Sequence, residues 1–175
     1  MKTLVDRINE ALKIGNNLSE WSSYSCQPKT KDELNEIIKD RISKEGPNCD
    51  LNDIDVSQIA DMSYLFNESE FDGDISDWNV SNVKDMSWLF NDSEFNGDIS
   101  KWNTSNVRNM ERMFSRSWFD DDISDWDVSN VENMSDMFAY SRFNQDISKW
   151  KINEFCDVRH IFYSCPIKQE YKPKL

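Results

Sequence analysis

The stretch Phe71–Phe90 reads FDGDISDWNVSNVKDMSWLF, and the chain repeats it almost at once: FNGDISKWNTSNVRNMERMF over Phe95–Phe114, then FDDDISDWDVSNVENMSDMF over Phe119–Phe138. The spacing is an unbroken 24 residues, which places Trp78, Trp102, Trp126 and Trp150 in one column. Met62, Met86, Met110 and Met134 form a second, Phe66, Phe90, Phe114, Phe138 and Phe162 a third, and Phe71, Phe95, Phe119 and Phe143 a fourth. Self-similarity at this period marks a repeat array, in which each unit buries its apolar side only against its neighbours.

Within a unit, Ile75, Trp78, Val80 and Val83 follow an L-x-x-L-x-L-x-x-L spacing. Trp78 and Val80, two apart, read as a short strand with alternating faces. Val83, Met86, Leu89 and Phe90 then switch to spacings of three and four, the helical pattern, with Ser81-Asn82 as an N-cap pair. The expected fold is therefore an α/β right-handed repeat solenoid, leucine-rich-repeat-like, whose 24-residue units each hold one strand and one short helix. Its strands would stack into a parallel sheet at about 4.8 Å per unit.

Three regions follow. Residues 1–50 read as a helical N-terminal segment and cap: Leu4, Ile8, Ala11, Leu12 and Ile14 line one face, and Leu34, Ile37, Ile38 and Ile42 line a second helix between a Thr30/Glu33 capping box and Gly46-Pro47. Residues 51–150 are the repeat array. Residues 151–175 form a degenerate last repeat and C-terminal cap that keeps Ile152, Phe155, Val158, Phe162 and Ile167 but loses the DIS-W segment.

The net charge is −13, and it is not spread evenly. Residues 1–50 carry 9 acidic and 8 basic side chains, residues 51–150 carry 21 and 7, and residues 151–175 carry 3 and 5. An array at −14 repels phosphate backbones and anionic bilayers, which excludes direct nucleic-acid binding and membrane association. A basic protein partner fits that charge. The start, MKTLVDRINEALKIGNN, has no apolar run of signal or membrane-span length, so the expected location is the cytoplasm, with Cys26, Cys49, Cys156 and Cys165 reduced.

The unit W-[ND]-[VT]-S-N-V-x-x-M-x-x-[LM]-F-x-x-S-x-F-[DN]-x-D-I-S-x-W, copied from Asp55 to Trp150, resembles the repeat of the BspA-like, mycoplasma-type surface proteins, which are related to leucine-rich repeats. The lead-in TKDELNEIIKDRISKEGPNCDLNDIDVS, Thr30–Ser57, resembles the segment that precedes such arrays. The resemblance implies an α/β solenoid and surface display with adhesion or partner binding. It brings no catalytic residue.

Candidate chemistry is sparse. The Asp74, Asp98, Asp122 and Asp146 column suits turn capping better than calcium, because the interleaved glycines of a calcium loop are missing. Stacked Ser and Asn columns (Ser81, Ser105, Ser129; Asn82, Asn106, Asn130) suit backbone satisfaction. The single histidine, His160, has only Cys156 and Cys165 nearby as nucleophiles, and these read as packed thiols. No enzyme activity, cofactor or metal is expected.

Columns that differ between copies are where packing does not dictate the residue. Tyr64, Trp88, Arg112 and Asp136 form one; Glu68, Asp92, Arg116 and Tyr140 a second; Glu70, Glu94, Trp118 and Arg142 a third. The first two, four apart, would share an outward helical face. Tyr64, Trp88, Arg112, Arg116, Trp118 and Tyr140 are the residue types that anchor interfaces, and they make the candidate partner-binding patch. The opposite face, with Asp77, Lys101, Asp125, Lys149 and Asn79, Asn103, Asp127, Lys151, is a rival binding side or a set of register-holding pairs.

The function expected is a non-catalytic protein-protein interaction scaffold. The alternative is an acidic nucleic-acid mimic that inhibits a nuclease or DNA-binding protein, of the kind phages encode. An adhesin-like surface protein is third.

Overall fold

A computed structural model describes residues 25–175. The helix expected around Leu4–Ile14 lies outside the described residues.

The second helix is present as α1, Lys31–Glu45. The Thr30 hydroxyl accepts the Glu33 N–H at 3.2 Å, Glu33 reaches back to the Lys29 N–H at 2.7 Å, and Gly46 ends the helix at φ 90°. Leu34, Ile37 and Ile38 are buried in the same core as the repeat columns. Lys31 ties α1 to the Asp61 carboxylate at 3.3 Å and to the Ser63 hydroxyl, while Arg41 holds Asp53 at 2.9 Å and the Asp50 carbonyl at 2.8 Å.

The α/β solenoid of strand-plus-helix units is not what the repeats form. Among the described residues, α1 and a single 3-10 turn at Gln169–Tyr171 are the only helices, and strand-type pairing between units is confined to isolated parallel bridges such as Asp61 to Asp85 and Asp85 to Asn109. There is no sheet. Each unit is instead a succession of tight turns stacked on the next unit.

The reason lies in how the backbone is satisfied. From Met86 to Asp92, alternate residues donate forward into the next unit: Met86, Trp88, Phe90 and Asp92 N–H bond the carbonyls of Asn109, Glu111, Met113 and Ser115 at 2.8–3.0 Å. The residues between them close local turns, Leu89 to Met86 at 3.2 Å and Asn91 to Trp88 at 3.3 Å. An α-helix would need every one of these amides for itself. It would also have to bury Met86, Ser87, Leu89, Phe90, Asn91 and Ser93 together, which exceeds one helical stripe.

On the side where a strand was expected, Trp78 and Val80 do point inward while Asp77 and Asn79 are exposed. No backbone ladder follows, because side chains cross between units there. The indole N–H of Trp102 donates to the Ile75 carbonyl at 3.1 Å, and Trp78, Trp126 and Trp150 repeat the bond at 2.9–3.1 Å. Asn82, Asn106 and Asn130 donate their amides to the Ser57, Ser81 and Ser105 carbonyls at 2.7–2.8 Å. The Ser81-Asn82 pair thus staples units and caps no helix.

The aromatic columns run through the interior. Phe66, Phe90, Phe114, Phe138 and Phe162 stack with successive centroids 5.5–5.8 Å apart, and Phe71, Phe95, Phe119 and Phe143 at 6.0–6.3 Å. Gly73 marks the tightest approach, since a Cβ there would sit 2.0 Å from the Cys49 carbonyl oxygen. In the last unit Ile167 is buried, but Phe155 is 84% exposed and does not join the core.

Candidate functional site

The variable columns do not ride on a helix. Tyr64, Trp88, Arg112, Asp136 and His160 have φ between 52° and 63°, and Glu68, Asp92, Arg116, Tyr140 and Ser164 between 53° and 60°. Each sits third in a turn of the kind that usually takes Gly or Asn there. A side chain in this left-handed region costs roughly 1 to 2 kcal/mol against Gly, and from Tyr64 to Tyr140 each such residue is held by its own forward N–H bond to the next unit.

This geometry turns each column into a ladder of side chains along the stack. In the first, the Lys31 ammonium lies 5.9 Å from the Tyr64 ring centroid, and Tyr64 stacks on Trp88 at 5.5 Å with 14° between planes. Arg112 covers Trp88 at 4.7 Å and donates to the Asp136 carboxylate at 3.0 Å and 3.2 Å. Asp136 Oδ1 is 3.7 Å from His160 Nδ1. In the second column Arg116 lies over Tyr140 at 5.1 Å, and in the third Arg142 lies over Trp118 at 4.1 Å.

The six residues singled out in the sequence therefore fall into three contacting sets. Tyr64, Trp88 and Arg112 are one continuous set, Arg116 and Tyr140 a second, and Trp118 a third with Arg142. Tyr64, Trp118 and Tyr140 are about half exposed, and Trp88 and Arg112 are half-buried. Tyr163 bridges two columns at one end, 5.3 Å from Tyr140 and 5.7 Å from His160. Lys31, Asp136, Arg142, His160 and Tyr163 were not chosen from the sequence. The 24-residue step from Asp136 to His160 was the available signal, since His160 continues the first column.

Because Trp88 is sandwiched between Tyr64 and Arg112, it presents an edge to solvent. It cannot serve as a stacking platform for a sugar ring or a base. What the ladder offers a partner is ring edges and guanidinium N–H groups, suited to carboxylates and carbonyls.

The remaining candidates are occupied by the backbone. Asp74, Asp98, Asp122 and Asp146 each accept the N–H two residues on, from Ser76, Ser100, Ser124 and Ser148, at 2.8–2.9 Å. That hydrogen bond holds the Asp74 carboxyl below its usual range. The Cys165 thiol meets the Phe143 carbonyl at 3.2 Å, and burial pushes the Cys156 thiol up to about 11, so it stays protonated at neutral pH. On the opposite face, no ion pair among the described residues joins the Asp77, Lys101, Asp125 and Lys149 positions, so they are not register-holding pairs.

No helix among the described residues is long and apolar enough to cross a membrane. No curated protein and no solved structure matches the chain. A family model described as "Mycoplasma protein of unknown function, DUF285" matches residues 33–118 and again residues 115–171, from inside α1 to the last turn. The stacked turns and their 24-residue columns are thus those of a repeat family, and the chain belongs to that Mycoplasma family, DUF285.

Proposed function

We propose that the chain is a non-catalytic scaffold that binds another protein through the variable side-chain ladders. The observation that carries this reading is the set of Tyr, Trp and Arg residues held at left-handed positions. Gly would relieve the backbone at each of them, yet the chain places interface-type side chains there. The surrounding array is acidic, so the partner brings basic or neutral surface to the rings and carbonyls or carboxylates to Arg112, Arg116 and Arg142. The reading extends to the cytoplasm as the site of action and to kinship with the BspA-like surface proteins.

Replacing Trp88 and Trp118 together by Gly tests it, because Gly keeps the backbone conformation at position 88. Affinity capture should be lost while the melting temperature moves by only a few degrees. Retained capture, or collapse of the fold, would overturn the proposal.

The acidic mimic is the second reading. It is favoured by the exposed Asp74, Asp98, Asp122 and Asp146, one per unit, on an array with 21 acidic and 7 basic side chains. Binding to a basic nuclease or DNA-binding protein would then weaken steeply with salt and survive loss of Trp88 and Trp118.

A further inference from the structure

At four successive junctions the same four backbone bonds recur, always from residue i to residue i+23. They start at Met62, Tyr64, Phe66 and Glu68 in the first junction and at Met134, Asp136, Phe138 and Tyr140 in the fourth, at 2.8–3.1 Å throughout. The direction never reverses in this segment. One end of the row therefore offers only carbonyls, and the other only N–H groups.

The donor end is the row Val158, His160, Phe162 and Ser164, whose N–H groups have no acceptor among the described residues. The row is already in the shape of an interior turn. Ile161, Tyr163 and Cys165 close the same local bonds at 2.9–3.2 Å, and His160 and Ser164 have φ 55° and 54°. Residues beyond it cover the neighbouring half of this end, where the Tyr171 carbonyl accepts the Ile147 N–H at 3.0 Å. Phe162 is partly exposed, with the Lys172 ammonium 5.5 Å from its ring centroid, whereas every earlier member of its column is fully buried.

We infer that this row is a docking edge for one further turn of the same repeat type, supplied by another chain that brings its carbonyls. Three features select that occupant. An extended strand spaces its carbonyls at about 6.7 Å per two residues, out of step with a row contracted by left-handed turns, so only a segment with matching turns stays in register. Residues 151–175 carry 3 acidic and 5 basic side chains, which suits an acidic repeat turn. A second copy of this chain is a poor fit, because its carbonyl end, at Asp61, Ser63, Leu65 and Asn67, lies beside α1, whose Lys31 is fastened to Asp61 and Ser63. Two donor ends cannot bond each other.

The test joins residues 81–139 of this sequence, an array without α1, to the C-terminus of the whole chain by a flexible Gly/Ser linker. The linker sets an effective concentration on the order of millimolar. Amide hydrogen exchange at positions 158, 160, 162 and 164 should then slow about tenfold or more relative to the chain alone. Unchanged exchange at all four overturns the inference. Equal slowing by a tethered segment of the same composition in scrambled order also overturns it, by reducing the effect to charge. Slowing in the untethered chain as its own concentration rises would assign the edge to a second copy and overturn the occupant. The double change at Trp88 and Trp118, made in the whole chain and not in the tethered segment, leaves this readout untouched, which separates it from the scaffold proposal.

Discussion

Arg112 lies 4.7 Å from the centroid of the Trp88 ring, one unit further along the stack, and closes the ring face that Tyr64 leaves open. The same guanidinium holds Asp136, so one side chain joins three units. Arg112→Ala should lower stability by about 1 kcal/mol, from a half-buried cation-π contact and a partly exposed ion pair. Urea denaturation checks this, and Arg112→Lys should recover only part of the loss, because an ammonium cannot lie flat on the ring while donating twice.

Glu68 occupies the left-handed region at φ 55° and is exposed. Glu68→Gly should stabilise the protein by about 0.5 kcal/mol, the relief of roughly 1 to 2 kcal/mol of strain outweighing the greater freedom of Gly in the unfolded chain. Glu68→Ala should be nearly neutral. A thermal melt with Gly below Ala would show that the strain is not there.

The Trp102 indole N–H is the donor for the Ile75 carbonyl, and both groups are buried. Trp102→Phe should cost about 1 kcal/mol for the lost indole bond, since the Ile75 carbonyl keeps the Trp78 N–H at 3.2 Å, with a further loss for the void. Trp118→Phe, on the surface, should cost well under 1 kcal/mol. Equal costs for the two would mean that the indole bond contributes little.

Gly73 and Gly97 hold equivalent positions, but their surroundings differ. A Cβ at 73 meets a backbone oxygen at 2.0 Å, whereas at 97 its nearest neighbour is the Phe95 ring at 2.9 Å. Gly73→Ala should destabilise by about 1 to 3 kcal/mol or more, and Gly97→Ala by distinctly less, as read from chemical denaturation.

The turn carboxylates set a pH dependence. Asp74 is depressed chiefly by the Ser76 N–H, Asp127 by the Ser129 hydroxyl and then its N–H, and Asp157 to about 2 by the Arg159 side chain. Each binds its proton less readily folded than unfolded, so its contribution is present above the unfolded value of about 4 and fades as pH falls through the folded value. Stability measured from pH 5 to pH 2 should fall progressively, and Asp127→Asn should flatten that fall. A chain more stable at pH 2 than at pH 5 would mean that relief of the net negative charge outweighs the turns.

Much of this was legible in the sequence because it depends on side-chain identity. The period, the buried Trp, Met and Phe columns, the capping box of α1 and the backbone-binding Asp and Asn columns all follow from which residue recurs. The strand and the helix were misread for one reason. Period-two and period-3.6 arguments weigh apolar residues alone, whereas Ser87, Asn91 and Ser93 are buried as well, and the amides between them are shared with a neighbouring unit. A bond to a residue 23 positions ahead leaves no local trace. The six candidate residues stand out by their divergence between copies, but their pairing was hidden, because it runs along the stack from one copy to the next.

The forward bonds of each unit also govern how such a gene can change. Removing a whole unit brings every donor back opposite an equivalent carbonyl, and Phe returns beside Phe. Removing a single residue shifts the alternation by one, so that amides meant for the next unit face inward and the inward ones face nothing. Insertions and deletions in this array should therefore be tolerated in steps of one full unit. Its length can vary freely by recombination between copies while the thickness and pitch of the stack stay fixed.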